Sequence, residues 1–162
     1  MSEGYTTFFI ENKLGIPIGK LKEWVKAGWV EPHVQKASGR GTKALFSKAD
    51  LHRIGRFKKL IELGLSREAA SGYLKQVSDD KLEGDHFMLF RYSDKPVPGG
   101  KGTKCLGLQL GAWESVGLKN GAADISDLEP AMRNYIETSG WGHLLIINFD
   151  EVHKEIEKAI GK

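Results

Sequence analysis

The residues best placed to do chemistry are Lys20, Lys22, Trp24 and Lys26 in one short stretch, and Arg40 and Lys43 in a second. The chemistry they suit is the holding of anions, not the breaking of bonds. A lysine ammonium is a point charge on a flexible stem, and an arginine fork can grip a phosphate with two parallel bonds. An indole N–H donates a hydrogen bond but accepts none. Between Lys13 and Lys59 there are 12 basic and 3 acidic residues, a net of +9, although the whole chain carries only +3. Residues 1–83 hold 15 basic against 10 acidic side chains, and residues 84–162 hold 9 against 11. Positive charge gathered in one window is what neutralising the phosphates of a nucleic-acid duplex requires. A solvated lysine-rich surface helix is the other reading of the same residues.

Catalysis finds little support. His33, His52, His86, His143 and His153 are scattered, and none has a second ligand at metal-binding spacing. Asp124, Asp127 and Glu129 cluster where a helix begins, a place that favours acids for electrostatic reasons alone. There is no nucleophile elbow, Walker loop or long dinucleotide fingerprint. We therefore expect no enzyme, no cofactor and no metal. Cys105 stands alone and cannot form an intrachain disulfide, which fits a reducing compartment. No apolar run approaches the roughly 20 residues a bilayer span needs, so no membrane partner is expected. MSEGYTTFF lacks a basic-then-apolar leader, and a cytoplasmic location is expected. A chain of 162 residues has room for one ordinary domain or two small ones.

These side chains need elements to position them. Thr6 or Thr7 can cap a first helix whose apolar face is Phe8, Phe9, Ile10 and Leu14, closed by Gly15. Pro17 suits the first turn of a second helix over 17–27, because its missing N–H has no intrahelical partner there. Ile18, Leu21, Val25 and Gly28 form its core stripe. Gly19, Lys20, Glu23 and Lys26 lie opposite, with Lys22 and Trp24 on the flanks. Two helices joined by so short a turn have helix-turn-helix spacing, in which the second helix enters a major groove. Trp29 to Phe46 then reads as a small hairpin with the exposed tip Gly39-Arg40-Gly41-Thr42-Lys43. Ser47 and Asp50 form a capping box. The helix they start places Leu51, Ile54, Phe57, Leu60 and Ile61 inward and His52, Arg53, Arg56, Lys58 and Lys59 outward. Gly64 ends it. Ser66 starts a fourth helix with Ala69, Ala70, Tyr73, Leu74 and Val77 inward. Gly84-Asp85 marks a domain boundary.

Taken together, residues 5 to about 77 resemble the winged helix-turn-helix of MerR-type bacterial transcription regulators. The matching pieces are Gly15-Ile16-Pro17, Leu21-Lys22-Glu23-Trp24, Ala27-Gly28-Trp29-Val30, Gly41-Thr42, Leu45 to Leu51, and Ile61 to Ser66. The resemblance implies a cytoplasmic DNA-binding protein, normally dimeric, whose recognition helix and wing grip adjacent stretches of duplex. Carried over, Lys22 stands where the family has a phosphate-contacting arginine, and Trp24 where it has an aromatic residue, usually tyrosine. Arg40 and Lys43 stand near the wing tip. Gly19 and Lys20 lie where side chains approach base edges. With Pro17 and Lys26 these make up the expected DNA-binding set. Two departures stand out. The long dimerisation helix of the family is missing, and no cysteine cluster for metal sensing is present.

The second half is of a different kind. Strands are expected over 86–92, 105–110 and 143–149. Helices are expected over about 128–138 and from Asp150, the last with Val152, Ile156 and Ile160 in line. Tyr92, Trp113 and Trp141, with Phe90, could line a pocket for a small-molecule effector, and the Val152–Ile156–Ile160 stripe could build a homodimer. Plain core packing accounts for the aromatics more simply, and packing of the last helix on its own sheet accounts for the stripe equally well. The sequence thus predicts an α+β chain: a four-helix winged helix-turn-helix over 1–83, then a small α+β domain over 84–162 for ligand sensing or dimerisation. The function expected is that of a sequence-specific transcriptional regulator on double-stranded DNA. An architectural or recombination-accessory DNA-binding protein of a mobile element, and a protein-interaction module without DNA, are the alternatives.

Overall fold

The computed structural model describes residues 4–39, 41–84, 87–93, 105–111 and 143–161. Among these the chain mixes helices with two small sheets. The first sheet pairs β1 (Tyr5–Thr6) antiparallel with β2 (Leu45–Phe46). Between them in sequence lie α1 (Thr7–Leu14) and α2 (Ile18–Lys26). Then follow α3 (Lys48–Glu62), α4 (Arg67–Leu74) and α5 (Asp79–Gly84). The second sheet has the antiparallel order β4-β3-β5, from β3 (Phe87–Ser93), β4 (Cys105–Gly111) and β5 (His143–Asn148). The last element is α6 (Asp150–Ala159). The helix expected over 128–138 lies outside the described residues.

Contacts divide the chain into two compact units, residues 1–83 with 151–162, and residues 84–150. The sequence predicts the last helix together with the sheet, over 84–162. Instead α6 packs on α3, and the reason is steric. Gly55, in the middle of α3, has no side chain, and a Cβ built there would lie 2.6 Å from Val152 Cγ1 and 3.4 Å from Ile156 Cδ1. A glycine inside a helix costs about 1 kcal/mol against alanine, and here it is what lets a second helix approach. Val152 and Ile156, two residues of the stripe offered for self-association, are buried within their own unit, and Ile160 is half-buried.

The same packing corrects the reading of α3. Leu51, Ile54, Phe57 and Leu60 are fully buried as expected, but so are His52 and Arg56, and Arg53 is nearly so, all three expected on the outward face. Arg56 NH2 donates to the Leu82 carbonyl at 3.0 Å and lies 2.8 Å from His153 Nε2. Helix α3 is therefore the central strut of its unit, covered on both sides. Its start is the expected capping box: Asp50 N donates to Ser47 Oγ at 3.1 Å, and Ser47 N to Asp50 Oδ2 at 2.9 Å. Its end is a Schellman motif, with Leu65 N reaching the Leu60 carbonyl and Gly64, at φ 98°, bonded to that of Ile61.

Candidate nucleic-acid interface

The interface is built from the turn between α1 and α2. Thr6 caps α1, its hydroxyl accepting from Phe9 N at 3.1 Å. Gly15, at φ 63°, closes that helix in the left-handed conformation. Helix α2 starts at Ile18, with Pro17 as its cap and not its first residue. Proline has no side-chain acceptor to offer, so Glu11 takes the role: its Oε1 accepts from Ile18 N at 3.1 Å. One carboxylate on α1 thereby satisfies an orphan donor of α2 and fixes the turn.

Along α2, Gly19, Lys20, Lys22, Glu23 and Lys26 are exposed, as is Pro17. Trp24 is not. It is 1% exposed and meets Phe57 of α3 edge-on, ring centroids 4.9 Å apart. The phosphate contact assigned to its indole is thus corrected: the ring is core, and its Nε1 is buried with no hydrogen-bond partner. The buried stripe is Leu21 and Trp24, with Ile18 and Val25 only half-buried. It is rotated from the expected line because Phe57 lies beneath position 24. Lys20 stays at the surface, with Nζ 5.6 Å from the Trp24 ring centre. The helix ends in a second Schellman motif, in which Trp29 N bonds the Trp24 carbonyl and Gly28, at φ 73°, bonds that of Val25.

The loop that follows is closed at its base by a reciprocal backbone pair, Gln35 N to Leu45 O at 3.1 Å and Leu45 N to Gln35 O at 2.9 Å. Nearer the tip, Ser38 N donates to Thr42 Oγ1 at 2.7 Å and Thr42 Oγ1 to the Gly39 carbonyl at 3.0 Å. Gly39 and Gly41 both sit at φ 96°, a conformation that side-chain-bearing residues rarely adopt. Lys36 and Lys43 are exposed. Arg40 lies outside the described residues.

No local pattern of residues hints at what pins this loop. His33 donates from its backbone N to Asp50 Oδ2 at 2.9 Å and meets Oδ1 through Nδ1 at 2.5 Å. Asp50 also accepts from Arg53, at 2.8 Å, and Arg53 reaches Asp79 at 3.0 Å. One buried carboxylate thus caps α3 and holds the base of the loop. Two further links went unforeseen. Lys75 Nζ donates to the Gly28 carbonyl at 2.8 Å, and Ser71 Oγ to that of Trp29 at 2.9 Å, so α4 braces the end of α2. Arg67 stacks over Trp29 at 5.3 Å and lines, with Lys20 and Lys58, an open depression beside α2. Aromatic residues placed just after a helix stop are the only signal that could have suggested such a stack.

The proposed effector residues are not brought together by anything described: Tyr92 belongs to β3 by its backbone, while Trp113 and Trp141 lie outside the described residues. Among the described residues no group of three or more His, Cys, Asp or Glu could hold a metal ion, and no helix is long and apolar enough to cross a membrane.

Residues 6–77 match the family model described as MerR HTH family regulatory protein, and this segment is of the MerR type. The match covers somewhat less than half of the chain and supports a DNA-binding transcription regulator in general. No curated protein matches the chain.

Proposed function

We propose that this chain is a sequence-specific DNA-binding transcriptional regulator, acting by binding and not as an enzyme. In this reading α2 enters the major groove, and the 35–45 loop serves as a wing against the neighbouring minor groove or backbone. The observation that carries it is the state of Lys20, Lys22 and Lys26. All three are exposed on a helix of a MerR-type segment, and none forms an ion pair among the described residues. Several cations elsewhere in the same unit are engaged, Lys48 with Glu83 and Glu157, Arg53 with Asp50 and Asp79, Lys75 with Glu31. Lysines in no ion pair among the described residues are available to replace the counterions of a phosphate backbone. Gly19 lets the helix backbone come close to base edges, and Lys43 with Arg40 supplies the wing's charge.

Lysine makes these contacts positional more than informative, because it lacks the bidentate fork that reads guanine well. Strong salt dependence with modest base discrimination is the expected signature. Replacing Lys22 and Lys43 together by alanine is expected to weaken binding to every duplex and to flatten the plot of log affinity against log salt by about 2. An unchanged slope removes both lysines from the phosphate contact. Selection from a random duplex pool is expected to return a shared motif, and recovery of unrelated sequences overturns the sequence-specific reading.

A further inference from the structure

We propose that α6 extends the nucleic-acid interface. Lys158 on α6, Lys13 on α1 and Lys58 on α3 form a second cationic seat, which takes phosphates of the duplex beside the groove that α2 enters. This role rests on α2 being the groove helix, and it brings in an element outside the matched segment 6–77.

Two open depressions define the surface. One is lined by Lys20, Lys58 and Arg67, with Glu62 and Glu68. The other is lined by Lys13, Lys58 and Lys158, with Glu155. Lys58 lines both, so the two adjoin across its side chain. Five cations thus border one surface against three carboxylates. Gly55 is what brings Lys158 here: the close approach of Val152 and Ile156 to α3 lays the last turn of α6 beside Lys58. The first depression reaches α2 through Lys20. The second reaches the end of α1 through Lys13 and Leu14, directly before the turn that opens α2. A helix in a major groove has a phosphate backbone on either side. The 35–45 loop, which follows the end of α2, serves one side, and the seat beside its start serves the other.

Helix dipoles do not account for the arrangement. Lys13 and Lys158 each sit in the last turn of a helix, where the dipole alone favours a cation. Lys58 lies in the interior of α3, and no dipole gathers lysines from three helices around one depression. Like charges so gathered repel one another until an anion joins them. The chain supplies little of it. Among the described residues the lysines in ion pairs are Lys36, Lys48 and Lys75. Glu155, the one carboxylate lining this depression, pairs with none of its three lysines. Lys13 and Lys158 are exposed and Lys58 is half-buried. A regular row of phosphates fits such a surface, because an ammonium on a flexible stem meets a phosphate as a point charge.

Duplex affinity of the full chain, measured against salt with a mixed-sequence duplex of about three helical turns, tests the seat. Each phosphate neutralised by a lysine contributes about 0.9 to the slope of log affinity against log salt. The double variant Lys13→Gln, Lys158→Gln is expected to flatten that slope by about 2. Raising salt from about 50 to 200 mM then costs it about tenfold less affinity than the parent chain loses. Lys13→Arg, Lys158→Arg keeps the charge and is expected to keep the parental slope. Lys81→Gln, Lys154→Gln removes the same charge from residues that line neither depression, and is expected to leave the slope unchanged. A parental slope in the Lys13, Lys158 glutamine variant, with the Lys22, Lys43 variant still flattened, overturns the seat and leaves the reading of α2 standing. Equal flattening in the Lys81, Lys154 variant makes the effect one of net charge and also overturns the seat. A parent chain that binds no duplex overturns both readings.

Discussion

Two neighbouring helices in the most basic window of the chain put their charge to opposite uses. Helix α2 holds Lys20, Lys22 and Lys26 in solvent without an ion pair among the described residues. Helix α3 buries Arg53, Arg56 and His52 against carboxylates, a carbonyl and another imidazole. By composition the two stretches look alike. What separates them is whether another element arrives to cover the face. Positive charge in a sequence therefore marks candidates for an interface, and only tertiary packing sorts those free to meet a partner from those spent inside.

The sharpest way to break this contrast is Arg56→Leu. It leaves the Leu82 carbonyl and His153 Nε2 without the guanidinium, so unfolding in urea is expected to come earlier by about 3 kcal/mol. If Arg56 belonged to the solvated face, stability would be unchanged and only duplex affinity would fall. Gly55→Ala is expected to cost less, about 1–2 kcal/mol. The helix-propensity gain of roughly 1 kcal/mol is outweighed by a methyl 2.6 Å from Val152 Cγ1, on a β-branched side chain with few rotamers to yield into. Amides of α6 losing protection first would locate the strain. An alanine that stabilises would mean α6 does not sit on this face. The smallest effect is expected from Trp24→Phe. That change removes a buried N–H without a partner and some packing volume, two effects that oppose each other to within about 1 kcal/mol. Duplex affinity measured in parallel should not move, and a loss of affinity at constant stability would return the indole to the interface.

The expected outcomes for Arg56 and Trp24 also show how far the residues speak for themselves. Local signals were legible: the Ser47–Asp50 box, the Thr6 cap, the stops at Gly15, Gly28 and Gly64, the strands near 87, 105 and 143, and the helix start at Asp150. Each depends on atoms a few residues apart. The MerR-type segment was legible too, through the order and spacing of its pieces. Which face of α2 turns inward was not, because Phe57 decides it from a different helix. The fate of His52 and Arg56 was hidden more deeply, since their partner His153 comes about a hundred residues later and no periodicity reaches that far. Gly55 was the clue within reach: an isolated glycine in a helical pattern often marks a close approach, and the Val152–Ile156 stripe was waiting for a flat surface.

The position of α6 also bears on how the chain comes off the ribosome. The strut that organises the first unit is made early, yet the helix that shields its arginine and histidine is translated only after residues 84–150. From the end of α3 to the end of α6, synthesis at about 5–20 residues per second takes roughly 5–20 s, far longer than helices need to form. During that interval Arg56 and His52 face water, and the nascent unit holds an uncovered flank that a chaperone could recognise and that only the later-made α6 can seal.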